Sequence, residues 1–205
     1  MKASELGVLQ LDGLREVANI GAGHAATALS QLTGRRIMID VPEVQFVKVE
    51  DVSELTGDPG EAVGAVAMQV FGDAKARTVI ILPAATAERV TEILLRAERL
   101  HFPDAFGEME RSALKEVGNM LAGAYLTALS DFLGMLLLPS VPDLALDMAG
   151  AVLQSTHLDF ADAESVLCIE TCLRMDGQGD LLRGYFLMLP AAGSLERILQ
   201  AIRLA

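Results

Sequence analysis

Tryptophan is absent from the 205 residues and aromatic side chains make up only 4% of them, so any core has to be aliphatic. There are two cysteines, Cys168 and Cys172, four apart in a segment that reads as a strand. There they face one side, too far apart along the strand to pair, and read as buried reduced thiols. The three histidines, His24, His101 and His157, are scattered without the spacing of metal ligands, so no metal site is expected on this chain. No serine elbow, phosphate-binding Walker loop or HExxH pair is present. Nor is there a run of about eighteen uncharged apolar residues, and the amino-terminal MKASELGVLQ lacks the apolar core of a signal peptide. The default expectation is a soluble cytoplasmic protein with no membrane partner. Positive charge is scarce: 16 Lys and Arg stand against 28 Asp and Glu, a net charge of −12 that argues against nucleic acid as a ligand.

What the chain does have is a repeat. Residues 12–42, DGLREVANIGAGHAATALSQLTGRRIMIDVP, return without a gap at 112–142 as SALKEVGNMLAGAYLTALSDFLGMLLLPSVP. Leu14, Glu16, Val17, Asn19, Ala22, Gly23, Thr27, Ala28, Leu29, Ser30, Gly34, Val41 and Pro42 recur one hundred residues on. Most of these are small or apolar and a shared core explains them. A Glu and an Asn three apart need another reason. On a helix, residues three or four apart share a face, so Asp12, Glu16 and Asn19 form one polar stripe and Ser112, Glu116 and Asn119 another. Leu11, Leu14, Val17, Ala18, Ala25, Leu29 and Leu32 form the apolar side that would be buried.

The spacing predicts a helix over 10–32 stopped by Gly34, with Gly21 and Gly23 admitting the backbone of the equivalent helix. Strands follow at 37–41 and 44–49, broken at Pro42, which marks an edge, a bulge or a bend. A helical turn at 51–55, a loop at 56–61, a hairpin of 63–71 with 77–82 around Gly72 and Asp73, and a helix over 84–100 complete the first copy. Residues 100–107, LHFPDAFG, read as a connecting loop. The second copy repeats the plan with strands at 165–175 and 183–189 around DGQGD and a helix at 191–204, and LPAA at 82–85 matches LPAA at 189–192. One step reads as unequal: 144–154 looks like a helix where the first copy has strand. Short connections make neighbouring strands antiparallel. The expected fold is therefore α/β, an internally duplicated pseudo-twofold sandwich with one continuous, mostly antiparallel sheet and two adjacent motif helices. The whole of 1–205 forms one domain of two repeats, about 1–100 and 101–205. Because the internal symmetry already buries motif helix against motif helix, a monomer is expected.

A carboxylate and an amide on one helical face, with no nucleophile nearby, can grip a cation and orient a water. That combination suits hydrolysis of a phosphoryl group whose electrophile and metal another protein supplies, since such transfer needs chiefly in-line alignment and charge neutralisation. The spacing D/S-x3-E-x2-N-x22-P, met at Asp12, Glu16, Asn19 and Pro42 and again at Ser112, Glu116, Asn119 and Pro142, resembles that of the CheC family of chemotaxis phosphatases, the CheC/CheX/FliY group. The words ANIGAGHAATALSQLTGRR, GNMLAGAYLTALSDFLG and YFLMLP extend the resemblance over nearly the whole chain. It implies a protein aspartyl-phosphate phosphatase, a hydrolase of two-component signalling that acts on the phosphoaspartate of a CheY-type response regulator. Glu16 and Glu116 would contact the regulator's lysine, Asn19 and Asn119 would orient the attacking water, and Pro42 and Pro142 are structural members of the motif. No cofactor would be bound by this chain, Mg²⁺ being carried by the regulator. The resemblance also implies CheD as a partner. With both motifs and no added terminal domain in these 205 residues, the chain looks more like CheC itself than like single-motif CheX-type or longer FliY-type relatives. The competing expectation is a non-catalytic module binding a response regulator or CheD, as in FliM-type switch proteins, which share the fold and lack the Glu/Asn pair.

Overall fold

The computed structural model describes residues 6–52, 58–97, 100–104, 106–159, 165–175, 181–191 and 193–204. The expected turn at 51–55 and loop at 56–61 lie partly, and the DGQGD turn wholly, outside these residues, as does the side chain of His157. In chain order the elements are α1 (Val8–Thr33), β1 (Ile37–Asp40), β2 (Val44–Lys48), a 3₁₀ turn (Val49–Asp51), β3 (Ala62–Gly72), β4 (Ala76–Pro83) and α2 (Ala84–Leu95). The second half follows with α3 (Glu108–Leu133), β5 (Leu137–Pro139), β6 (Asp143–Met148), α4 (Ala149–Asp159), β7 (Ser165–Met175), β8 (Leu182–Pro190) and α5 (Ser194–Leu204).

All eight strands belong to one antiparallel sheet in the order β1, β7, β8, β4, β3, β5, with β2 also on β7 and β6 also on β3. The two halves meet at the central β4–β8 pair, where Val79 lies opposite Leu187 and Ile80 opposite Phe186. Each edge is one strand split by a bulge. Asp40 pairs with Cys172 and Val44 with Ile169, so 41–43 span only 170–171. Pro139 pairs with Val70 and Asp143 with Ala67, so 140–142 span only 68–69. An extra residue on one side of a ladder is a β-bulge, and Pro42 and Pro142, which have no N–H to donate, each sit in one.

Three of the expected elements need correction. Residues 143–148 are strand, with helix only from Ala149, because DLALDM alternates between exposed and half-buried positions and pairs with β3 from Ala62↔Met148 to Ala67↔Asp143. The second copy thus reproduces the first copy's β1–β2 step as β5–β6. The helix foreseen over 84–100 ends at Leu95, with Arg96 as a left-handed cap at φ 53. The closing helix starts at Ser194, three residues later than foreseen at 191.

Packing follows the polarity of each element. On one side of the sheet, α1, α3, α2 and α5 bury Leu14, Val17, Leu114, Val117, Val90 and Ile198 against Val66, Ile80, Leu167 and Phe186. On the other side, Val52 and the start of α4, Ala149 and Val152, cover Val63, Ala65, Val79, Cys168 and Leu187. Cys168 and Cys172 are buried and unpaired. The helices α1 and α3 lie antiparallel against each other, Gly13 facing Phe132 and Gly21 facing Tyr125. A Cβ on Gly21 would come within 3.2 Å of the Ala124 carbonyl and of Tyr125 Cα, so this glycine does admit the second helix's backbone. Gly23 does not, since a Cβ there would meet nothing within 4 Å.

Candidate active site

α1 sets Asp12, Glu16 and Asn19 on successive turns of its outer face, and all three are exposed, while Leu14, Val17 and Ala18 on the inner face are buried. Of the expected apolar stripe, Leu11 is half-buried and Leu32 remains 50% exposed, because it faces away from both sheet and partner helix. α3 repeats the arrangement with Ser112 and Glu116 exposed and Asn119 half-buried. Pro42 is exposed and Pro142 half-buried at their two sheet edges.

Most of the repeated residues have a structural reason. Leu14, Val17, Ala22 and Leu29 are buried, as are Leu114, Val117, Ala122 and Leu129. The Ser30 hydroxyl accepts from the Ile37 amide at 2.9 Å and so ties the end of α1 to the start of β1, and the Ser130 hydroxyl donates to the carbonyl of Met135 in the connection between α3 and β5. Gly34 and Gly134 close their helices in the left-handed region at φ 68 and 60. Thr27 and Thr127 bond back to the carbonyls of Gly23 and Gly123 at 2.9 and 2.8 Å.

Glu16, Glu116, Asn19 and Asn119 stand outside this account. Neither glutamate forms an ion pair with a described residue. The Asn19 side-chain amide donates from Nδ2 to the Arg15 carbonyl at 3.0 Å, which fixes the amide on its own helix and leaves Oδ1 open as an acceptor. Asn119 has no protein hydrogen-bond partner among the described residues. A fixed carbonyl acceptor on an exposed helix is suited to accept a hydrogen bond from a bound water and so turn the water's lone pair outward.

Other chemistry is not at hand. Burial pushes the Cys168 thiol up from 9.0 to about 12, and burial likewise pushes the Tyr125 phenol up to about 12, so neither is an anionic nucleophile near neutral pH. His24 is exposed on α1 but five residues past Asn19, off the polar stripe. Among the described residues no three or more His, Cys, Asp or Glu side chains gather as a metal site. Both polar stripes lie on open helix surface rather than in a cleft, so whatever reacts there has to bring the rest of the site with it.

The comparisons with known proteins fall on these same segments. The sequence model of the CheC-like family matches residues 9–45 and 109–145, the two copies of the motif. Over 196 residues the chain is 35% identical to the CheY-P phosphatase CheC of Bacillus subtilis strain 168, an alignment covering 94% of this chain and 93% of that protein. The chain belongs to the CheC-like family. Among solved structures, Thermotoga maritima FliY superposes with a TM-score of 0.74 at 20% identity, covering 98% of each chain. The FliM middle domain from H. pylori superposes with a TM-score of 0.63 at 12% identity, covering 96% of this chain and 99% of that one. At such identities the two structures share the fold of this CheC-like chain. Within that shared frame the paired glutamates and asparagines, not the architecture, have to carry any statement about chemistry.

Proposed function

We propose that the chain is a phosphatase that removes the phosphoryl group from the phosphoaspartate of a CheY-type response regulator. The observation that carries the reading is the recurrence of Glu16 and Asn19 as Glu116 and Asn119, on outer helix faces where no packing or capping role requires them. The relative of 35% identity, which bears the name CheY-P phosphatase, supports the substrate class.

Each carboxylate, free of an internal ion pair, accepts the regulator's lysine and so draws the phosphorylated site onto the helix. The adjacent asparagine then inserts its amide and holds a water in line with the phosphorus. Alignment of this kind is the main contribution a protein can make to phosphoryl transfer. A divalent ion carried by the regulator would neutralise charge on the phosphoryl group. Pro42 and Pro142 shape the sheet edges through their bulges and touch no reacting group in this scheme. Two further elements rest on family resemblance and on the internal burial of α1 against α3: a CheD-type deamidase as second partner, and a monomeric state. No described helix is long and apolar enough to cross a membrane, and we assign the protein to the cytoplasm with its regulator.

The test follows loss of label from a phosphorylated, Mg²⁺-loaded CheY-type regulator with wild type, Asn19→Ala, Asn119→Ala and the double variant. Wild type should accelerate the loss, and the double variant should be slower by about a hundredfold or more, the usual cost of removing a positioned hydrogen-bonding amide. A wild type that binds the regulator without accelerating the loss would instead make the helical stripes recognition surfaces of a non-catalytic module.

A further inference from the structure

On a chain of net charge −12, one surface concentrates positive charge. Arg35 and Arg36 follow the Gly34 cap of α1, and α2 carries Arg89, Glu92 and Arg96 at spacings that place them on one helical face. Arg35, Arg89, Glu92 and Arg96 line a cleft of about 520 Å³ between the carboxyl ends of the two helices. Arg35 and Arg36 also line an adjoining depression of about 540 Å³ along α1. These volumes lie in the range of small-ligand sites.

Among the described residues Glu92 is the one carboxylate lining the cleft, and it is already engaged, accepting from Arg89 Nη1 at 2.8 Å and from the Leu100 amide at 3.1 Å. Arg35 and Arg96 form no ion pair with a described residue. Beside the Arg89–Glu92 pair, Arg35 and Arg96 leave the described lining of the cleft cationic, and like charge gathered on a concave surface draws anions to it.

The backbone gives a second, separate reason. Arg96 has φ 53 and is the one non-glycine residue of positive φ among those described, whereas α1 and α3 both end on glycine. An L side chain in the left-handed region costs on the order of 1 kcal/mol relative to glycine. Keeping a guanidinium where glycine would be more stable implies a use for the guanidinium.

We propose that this cleft binds a small polyanion, bearing phosphate or clustered carboxylate groups, gripped by the forked donors of Arg35 and Arg96, with Arg89 oriented by Glu92. The site is separate from the Glu/Asn stripes, and its occupancy is read without turnover, so it stands or falls independently of the phosphatase reading. The probes are pyrophosphate for the phosphate source and citrate for the carboxylate source, titrated calorimetrically at a constant ionic strength of about 0.15 M. The proteins are wild type, Arg35→Gln, Arg96→Gly and, as a control outside the cleft, the surface Arg174→Gln. Arg96→Gly deletes the guanidinium while supplying the residue its backbone conformation favours, so it should melt at or above the wild-type temperature. One-site saturable binding of either probe is expected, weakened about tenfold or more in Arg35→Gln and in Arg96→Gly and unchanged in Arg174→Gln. The probe that binds identifies the source of the negative charge. Absence of saturable binding by both probes, an affinity unchanged by Arg96→Gly, or an equal loss in Arg174→Gln would each overturn the site.

Discussion

Gly118, the residue just before the second motif asparagine, sets how closely α3 can approach the sheet. A Cβ built on it would lie 2.5 Å from both Cβ and Cγ2 of Val66 and 2.7 Å from Cγ1. Carbon atoms settle about 3.5–4.0 Å apart, so helix and strand would have to separate by roughly 1 Å. Val66 cannot turn away: it is fully buried, its branched side chain is stiff, and its strand is held on both sides by β4 and β6. Overpacking of this kind costs about 1–3 kcal/mol, and replacing a mid-helix glycine returns up to about 1. Gly118→Ala should therefore lose about 1–2 kcal/mol, which at this chain length lowers the melting temperature by about 2–4 °C per kcal/mol. Urea unfolding of wild type, Gly118→Ala, Val66→Ala and the double variant is the assay. The added methyl occupies space vacated at Val66, so the double variant should be more stable than the two single losses predict, by about 1 kcal/mol. Strict additivity, or a Gly118→Ala protein as stable as wild type, would refute this account of the seating of α3. Since Gly118 lies between Glu116 and Asn119, dephosphorylation of the regulator should weaken with it.

Gly23→Ala is the opposite case: open space above the residue and the helix propensity of alanine predict a gain of about 0.5–1 kcal/mol, read by the same unfolding curves. If the partner approaches the helix one turn past Asn19, that more stable variant should also be the poorer phosphatase, a pairing that turnover and unfolding measured together will show or exclude. Tyr125→Phe removes the buried 2.9 Å hydrogen bond to Thr171 and strands that hydroxyl beneath α3, so a loss of about 1–3 kcal/mol is expected in thermal unfolding. Burial raises the folded-state Cys168 and Tyr125 to about 12, from 9.0 and 10.0. The stabilisation from keeping both groups protonated is complete below pH 9 and is lost as pH climbs from 9 towards 12, where the unfolded chain ionises first. Unfolding free energies measured through that window should fall, less steeply in Cys168→Ala, and a slope identical in the variant would count against the buried thiol as a source.

The sequence carried the fold wherever a residue's local chemistry agreed with its tertiary setting. Gly34 ended α1 because a left-handed cap needs it, the Gly72 and Asp73 turn joined β3 to β4, and Pro42 could only stand at an edge, a bulge or a bend. DLALDM was the failure. Leu144, Leu146 and Met148 fit a strand alternation, but Ala145, Ala149 and Ala151 favour helix, and only pairing with β3 decides the matter. Arg96 was missed for a related reason, since nothing in a run of good helix formers announces a left-handed cap on an arginine. The basic cleft was equally hidden, because Arg35 and Arg36 are adjacent in sequence while Arg89 and Arg96 join them only through the packing of two helix ends.

The candidate site was legible because the chain contains its own control. A single exposed Glu and Asn on a helix says little, as such residues are ordinary on surfaces. Two copies on one sheet, whose surroundings differ, say more. Ala18 answers to Gly118, buried Val41 answers to Val141 at 86% exposure, and exposed His24 answers to half-buried Ala124. The packing around each motif has therefore been free to change, down to the tie between Asn19 and the Arg15 carbonyl that Asn119 lacks. Glu16 and Asn19 nevertheless recur as Glu116 and Asn119, although no internal contact common to the two copies requires it. Residues that stay identical while their supports diverge are fixed by something outside the fold, and on an open helix face that something is a group presented by another molecule.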